Sequence, residues 1–163
     1  MIAPDPSRRP LCGLASPERM TPQQPQNVEL AWTETNGVRV LVADDDKMLS
    51  QMLCSVLRQV GHKATPAFDA VQVMMMAKRD PMPDLILLDI NMPGGSGLKT
   101  LNSLKSSSHT CDIPIIIISG SIDTTAPDQA RKLGAARFVS KPVDPSMLLQ
   151  TIREVMEEAG FTG

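Results

Sequence analysis

From residue 38 onward, short apolar runs alternate with stretches in which apolar residues return every three or four positions. The strong runs lie at 38–43, 84–90 and 113–119, with weaker ones at 63–65 and 137–141. Runs that are apolar through their middle suit strands of a parallel sheet covered on both faces. Between the first two, Met48, Leu49, Met52, Leu53, Val56, Leu57 and Val60 recur at helical spacing, and Gly61 ends that helix. Further helices are predicted at about 69–79, at 97–107 with Leu98, Leu101 and Leu104 on one side, and at 124–133. Asp144 caps the last helix, Pro145 takes its first position, and it runs to about residue 159.

The order is strand then helix, five times over. Such alternation predicts an α/β fold, a (βα)5 doubly wound sheet of five parallel strands, with right-handed crossovers and helices on both faces. No internal repeat beyond that alternation is visible. Sheets of this kind gather functional groups just beyond the carboxyl ends of their strands.

Those ends carry a consistent chemistry. The first strand runs into Asp44-Asp45-Asp46, the third ends at Asp89, the fourth at Ser119 and the fifth at Lys141-Pro142. Two carboxylates about 4 Å apart repel by roughly 4 kcal/mol at an effective dielectric near 20. A divalent cation removes that cost, and an all-oxygen donor set with room for water suits magnesium. A carboxylate beside magnesium can attack phosphorus and form an acyl phosphate. Lys141 and Ser119 can bind phosphoryl oxygens, by charge and by hydroxyl donation. Asp46 is expected instead to cap the first helix. Asp89 follows the apolar residues Leu85 to Leu88 and is expected to be partly buried.

These residues resemble the receiver family of two-component response regulators. Val40-Leu41-Val42-Ala43-Asp44-Asp45-Asp46 is similar to its first strand and acidic pair. Asp84-Leu85-Ile86-Leu87-Leu88-Asp89-Ile90-Asn91-Met92-Pro93-Gly94 resembles its phospho-acceptor strand and the loop after it. Ile115-Ile116-Ile117-Ile118-Ser119-Gly120 looks like the strand ending in a switch hydroxyl, and Phe138-Val139-Ser140-Lys141-Pro142 like the switch aromatic and Lys-Pro pair. The intervals fit as well: 44 residues from Asp45 to Asp89, 30 on to Ser119 and 22 on to Lys141. The resemblance covers about residues 38–159 and implies a flavodoxin-like strand order 2-1-3-4-5.

The resemblance further implies that Asp89 accepts a phosphoryl group from phosphohistidine on a histidine kinase or phosphotransfer protein. Asp45, Asp89 and the backbone carbonyl of Asn91 would ligate Mg2+, with Asp44 assisting directly or through water. Ser119 would turn toward the phosphate and Phe138 would follow, changing the face presented to a downstream protein target. The Lys141–Pro142 bond would be cis. Ser96 stands where many members carry an acidic residue, Val143 where Phe is common, Phe138 where some have Tyr, and Gly120 where Ala is frequent, which widens the expected access to Asp89.

Composition narrows the rest. A formal charge of −2, scattered basic residues and 2% aromatic content argue against a nucleic-acid partner. No apolar run approaches the roughly 20 residues of a membrane span. Ser7-Arg8-Arg9 lacks the apolar segment of an export signal, so the chain is expected to be cytoplasmic. Cys12, Cys54 and Cys111 fit neither a zinc site nor a disulfide framework. Met74-Met75-Met76 reads as helix packing. Six prolines before residue 26 and sparse apolar residues make 1–37 a disordered N-terminal tail ahead of a receiver domain at 38–163, with Met20 an alternative start.

The expectation is a switch that promotes its own phosphorylation and dephosphorylation rather than an enzyme acting on a separate substrate. It would stand alone, since the chain ends soon after its last helix. A receiver fragment of a hybrid histidine kinase and a degenerate scaffold receiver are the variants. A haloacid-dehalogenase-like phosphatase, with Asp44 and Asp46 as its Asp-x-Asp pair, is the enzyme alternative, disfavoured by Met48 two residues on.

Overall fold

Ile86 and Leu88 point to one side of the central sheet and Leu85 and Leu87 to the other, and all four are buried. The fourth strand repeats the division, with Ile115 and Ile117 on one face and Ile116 and Ile118 on the other. Strands buried on both faces must be continuously apolar, which is why these two runs were the clearest in the sequence. Burying such side chains supplies about 1.5–3 kcal/mol each.

The computed structural model describes residues 37–120 and 124–161. Its elements are β1 Arg39–Ala43, α1 Lys47–Gln59, β2 Lys63–Ala67, α2 Ala70–Ala77, β3 Leu85–Asp89, α3 Gly97–Ser106, β4 Ile115–Ser119, α4 Ala126–Lys132, β5 Arg137–Ser140 and α5 Pro145–Glu158. The five strands are parallel in the order β2-β1-β3-β4-β5. Core residues of α1 and α5 cover one face, those of α2, α3 and α4 the other. The expected 1–37 tail falls, apart from residue 37, outside the described residues. Among the described residues no helix is long and apolar enough to cross a membrane, and Cys54 and Cys111 are free thiols.

Three elements refine or depart from the sequence reading. In α1 the inward stripe is Ser50, Leu53, Cys54 and Leu57, while Met48 is 82% exposed and Met52 also faces outward. The i, i+3, i+4, i+7 spacing from residue 50 fits the sheet better than the run of apolar residues that starts at Met48. In α2 only Val73 of the central residues is fully buried; Met74 and Met76 are half-buried and Met75 is exposed.

Strand β2 is longer than expected and contains Pro66. Lys63 N–H and Ala67 C=O bond toward β1, so by alternation Ala64 and Pro66 face the open edge. Proline's missing donor costs nothing there. Arg58 also donates to the Ala64 carbonyl at 2.7 Å. This edge therefore offers little to a further strand.

One polar clamp joins the amino end of β1 to that of β3. Arg39 donates from Nε and Nη2 to the two oxygens of Asp84, at 3.1 and 2.7 Å, and its backbone N–H adds a bond at 2.9 Å. Burial pushes the Asp84 carboxyl up, yet the bonds from Arg39 hold it net below the usual carboxylate value. A depressed folded value means stability that is present above the unfolded pKa, near 4, and is lost as pH falls through the folded value. We expect Asp84→Ala to cost about 1–2 kcal/mol at pH 7, the lower part of the charge-assisted range because Arg39 is partly solvated. In urea titrations the gap from wild type should narrow below about pH 4; a gap independent of pH would argue against the clamp.

Candidate functional site

Parallel register brings the strand ends side by side. Ala43 lies opposite Leu88, Asp89 opposite Ile118, and Ser119 opposite Ser140. The residues just beyond these positions therefore meet at one edge of the sheet, as the sequence reading anticipated.

The three consecutive aspartates take three different tasks. Asp44 is buried; its N–H extends the β1–β2 pairing to the Ala67 carbonyl at 3.1 Å. Its Oδ1 accepts from the Asp46 N–H at 2.9 Å, which turns the chain outward. Asp45 is exposed at the rim. Asp46 caps α1, accepting from the N–H groups of Met48 and Leu49 at 2.9 and 3.1 Å. That use of its carboxylate takes it out of the site, and with it the second member of any Asp-x-Asp catalytic pair.

Asp89 is 3% exposed, at the end of the apolar strand. Its Oδ1 accepts from the Asn91 N–H at 3.1 Å, which folds the following loop back over it. Its Oδ2 accepts from Lys141 Nζ at 3.2 Å. The same ammonium lies 2.8 Å from Asp44 Oδ2, as an ion pair rather than a well-aimed hydrogen bond. Lys141 is itself held by its N–H to the Ser119 carbonyl at 2.8 Å, and the bond to Pro142 is cis. Burial pulls the Lys141 ammonium down, but Asp44 and Asp89 together hold it above its ordinary value, so it stays charged. Burial raises the Asp44 carboxyl, with Lys141 opposing that shift.

Ser119 is buried at the end of β4. Two residues earlier Ile117 points to the same face and pairs with Phe138 of β5. Phe138 is half-buried and packs on the α2–α3–α4 side of the core. The hydroxyl and the aromatic ring thus lie one side-chain step apart on one face.

The carboxylates of Asp44, Asp45 and Asp89 offer oxygens within 4.8 Å of one another. Three hard oxygen donors, one of them solvent-facing, fit a magnesium-sized cation that keeps part of its water. The Asn91 backbone, folded onto Asp89, lies beside the same cluster.

Sequence reasoning missed two positions that shape the site. Gly97 donates its N–H to the Ile90 carbonyl at 2.7 Å, and a Cβ there would stand 2.3 Å from the Asp89 carbonyl oxygen. Only glycine lets α3 start against the backbone of the central aspartate. A glycine opening a helix two positions after Gly94-Gly95 was the available signal. The second is the Ala70 N–H, which bonds the Pro93 carbonyl at 3.2 Å and ties the loop to α2. At Gly120 an added methyl would touch the Lys141 stem at 3.6–3.7 Å. The open space expected there therefore lies over the lysine.

Comparison with known proteins agrees with this geometry. The profile of the response regulator receiver domain matches residues 40–153. The phosphate regulon transcriptional regulatory protein PhoB of Escherichia coli (strain K12) is 35% identical over 118 residues, 72% of this chain and 51% of PhoB. The chain thus spans about half the length of the first curated relatives it matches. Protein PilH of Pseudomonas aeruginosa is 31% identical over 118 residues, 72% of this chain and 97% of PilH. Among solved structures, chemotaxis protein CheY4 of Vibrio cholerae superposes with a TM-score of 0.68 at 25% identity, over 73% of this chain and 98% of CheY4. A CheY-like receiver from Methanospirillum hungatei JF-1 gives 0.72 at 24% identity, over 78% and 99%, a likeness of fold. The chain therefore belongs to the receiver-domain family of two-component response regulators, phospho-accepting switches of signal transduction.

Proposed function

We propose that Asp89 is the phospho-acceptor and that Lys141, Ser119 and Phe138 carry the switch. The observation that supports this most directly is the arrangement of Asp89 between Lys141 Nζ at 3.2 Å and the Asn91 N–H at 3.1 Å. It is a buried carboxylate with a cation on one oxygen and a backbone donor on the other. An oxygen of Asp89 attacks phosphorus as the bond from phosphorus to the donor's imidazole nitrogen breaks, and the nitrogen leaves with the bonding pair. The Lys141 ammonium, already charged, meets the phosphoryl oxygens as they arrive. Its ion pair with Asp44 is the contact it gives up to do so.

Asp45, Asp89 and the Asn91 backbone carbonyl would hold Mg2+, with Asp44 direct or through water. Bound there, the ion neutralises the carboxylates and the phosphoryl oxygens. The donor is a histidine kinase or phosphotransfer protein, the readout is a downstream protein target, and the setting is cytoplasmic. The domain also promotes its own phosphorylation and dephosphorylation, since it supplies the attacking carboxylate of Asp89 and the Lys141 ammonium that meets the phosphoryl oxygens.

With a small phosphodonor and magnesium, wild type should incorporate phosphate and Asp89→Asn should fall to background by mass spectrometry. Undiminished incorporation in the variant would sink the assignment. Magnesium should bind weakly to the unphosphorylated protein, and Asp45→Ala should remove most of that binding in calorimetric titration; equal affinity would place the ion elsewhere.

Moving a two-state equilibrium from 1:99 to 99:1 needs about 5.5 kcal/mol of differential binding. Contacts from Lys141 and Ser119 to phosphate could supply about 1.5–3 kcal/mol each, so a near-complete shift uses both. Ser119→Ala should still phosphorylate but largely uncouple Phe138, and Lys141→Ala should do so more severely. Fluorine NMR on labelled Phe138, with and without beryllofluoride, reads this. A full Phe138 shift in Ser119→Ala would exclude the hydroxyl as the coupling element.

A further inference from the structure

Helix α2 is apolar almost all round: of its eight residues only Gln72 is polar. A helix of that composition belongs inside a core, yet only Ala70, Val73 and Ala77 are fully buried. Val71 and Met75 are 60% and 69% exposed, and Met74 is half-buried beside them. These three residues line one wall of a groove of about 520 Å3 whose other wall is Lys99, Thr100 and Ser103 of α3. Exposed apolar residues gathered in one groove, rather than scattered singly, mark an interaction site.

The groove is also cationic, on a chain whose formal charge is −2. Lys78 and Lys99 line it and no acidic residue does. Among the described residues neither lysine forms an ion pair. Asp69, next to the groove in sequence, accepts from the Gln72 N–H at 2.8 Å as the cap of α2. The two lysines stand at opposite ends. Helices α2 and α3 both follow parallel strands and so run the same way. The Ala70 N–H and the Pro93 carbonyl tie their amino ends together. Lys99 lies in the first turn of α3, at that end. Lys78 closes α2 at the other end, about 12 Å along the helix from Ala70. Gly94 and Gly95, which carry no side chain, leave the mouth open beside Ala70.

We propose that this groove docks an acidic amphipathic helix of a partner protein. That helix lies along α2, its apolar face on Val71, Met74 and Met75 and its carboxylates at Lys78 and Lys99. The chemistry selects the occupant. Lysines about two helical turns apart match acids at i and i+7 of a helix. Methionine side chains adapt to whichever apolar residues lie between those acids. No aromatic residue lines the groove for a nucleic-acid base to stack on. Helices α2 and α3 sit against β1 and β3, away from β5 and Phe138. The docking site therefore stands whichever aspartate accepts phosphate.

The probe is a synthetic helical peptide with leucines along one face and glutamates flanking them at i and i+7. The full, unphosphorylated chain carries 13C at its methionine methyls. On titration the Met74 and Met75 signals should shift and saturate, while those of Met48 and Met147, exposed on α1 and α5, stay in place. Lys78→Glu with Lys99→Glu, at two exposed positions, should weaken binding roughly 5- to 30-fold, as expected for two exposed charge pairs. A peptide with lysines in place of the glutamates should regain that loss. Absence of a saturable shift at Met74 and Met75, equal shifts at Met48 and Met147, or affinity indifferent to the lysine reversal would each overturn the proposal. Shifts of Met74 and Met75 on concentrating the protein alone would assign the groove to a second copy. The same shifts on adding phosphatidylglycerol vesicles without peptide would assign it to a membrane surface. Either result would overturn the proposal as well.

Discussion

Carboxylate oxygens from three residues lie within 4.8 Å of one another at one edge of this sheet, and one lysine, Lys141, pairs with two of them. At that separation each unscreened pair costs several kcal/mol. Lys141 meets the two buried members, Asp44 and Asp89, while Asp45 stays in water. A buried charge whose partner is removed is costly, so the lysine and the aspartates hold one another in place. The consequence is a site that is stable but unsaturated. Its cation is committed to two anions at once, and the proposed phosphoryl transfer would redistribute it.

The scaffold makes that redistribution local. Strands β3 and β4 are buried on both faces, so their ends are fixed by packing that nothing at the site disturbs. Burial is less complete beyond the strand ends and in β5, the edge strand beside β4, none of whose residues is fully buried. Phe138 sits on that less constrained strand, on the face shared with Ile117 and Ser119. In the proposed switch, a change at Asp89 would be read at this edge, because the packed core has few ways to absorb it.

Much of this was legible in the residues. The continuous apolar runs that end in Asp89 and Ser119 suit central parallel strands. The five strand–helix alternations then fix which ends share an edge. Asp46 was readable as a cap, and Asp144 with Pro145 as a helix start, because capping is a local reaction of side chain with neighbouring N–H groups. The inward face of α1 was left open by the sequence, because Met48 and Met52 are apolar at helical spacing as well as Leu53 and Leu57. Which of two overlapping stripes goes inward is decided by the sheet it meets.

The sequence by itself determined the element order, the strand ends and the chemical kinds of group collected there, since period, caps and charge are properties of neighbouring residues. Only the tertiary structure decided how those groups divide the work. Asp44 takes the lysine, Asp45 faces water, and Asp46 closes a helix, although all three are the same residue in a row. Tertiary structure alone also decided that Gly97 must be glycine. These are distances between segments far apart in the chain, set by packing, and no local pattern encodes them.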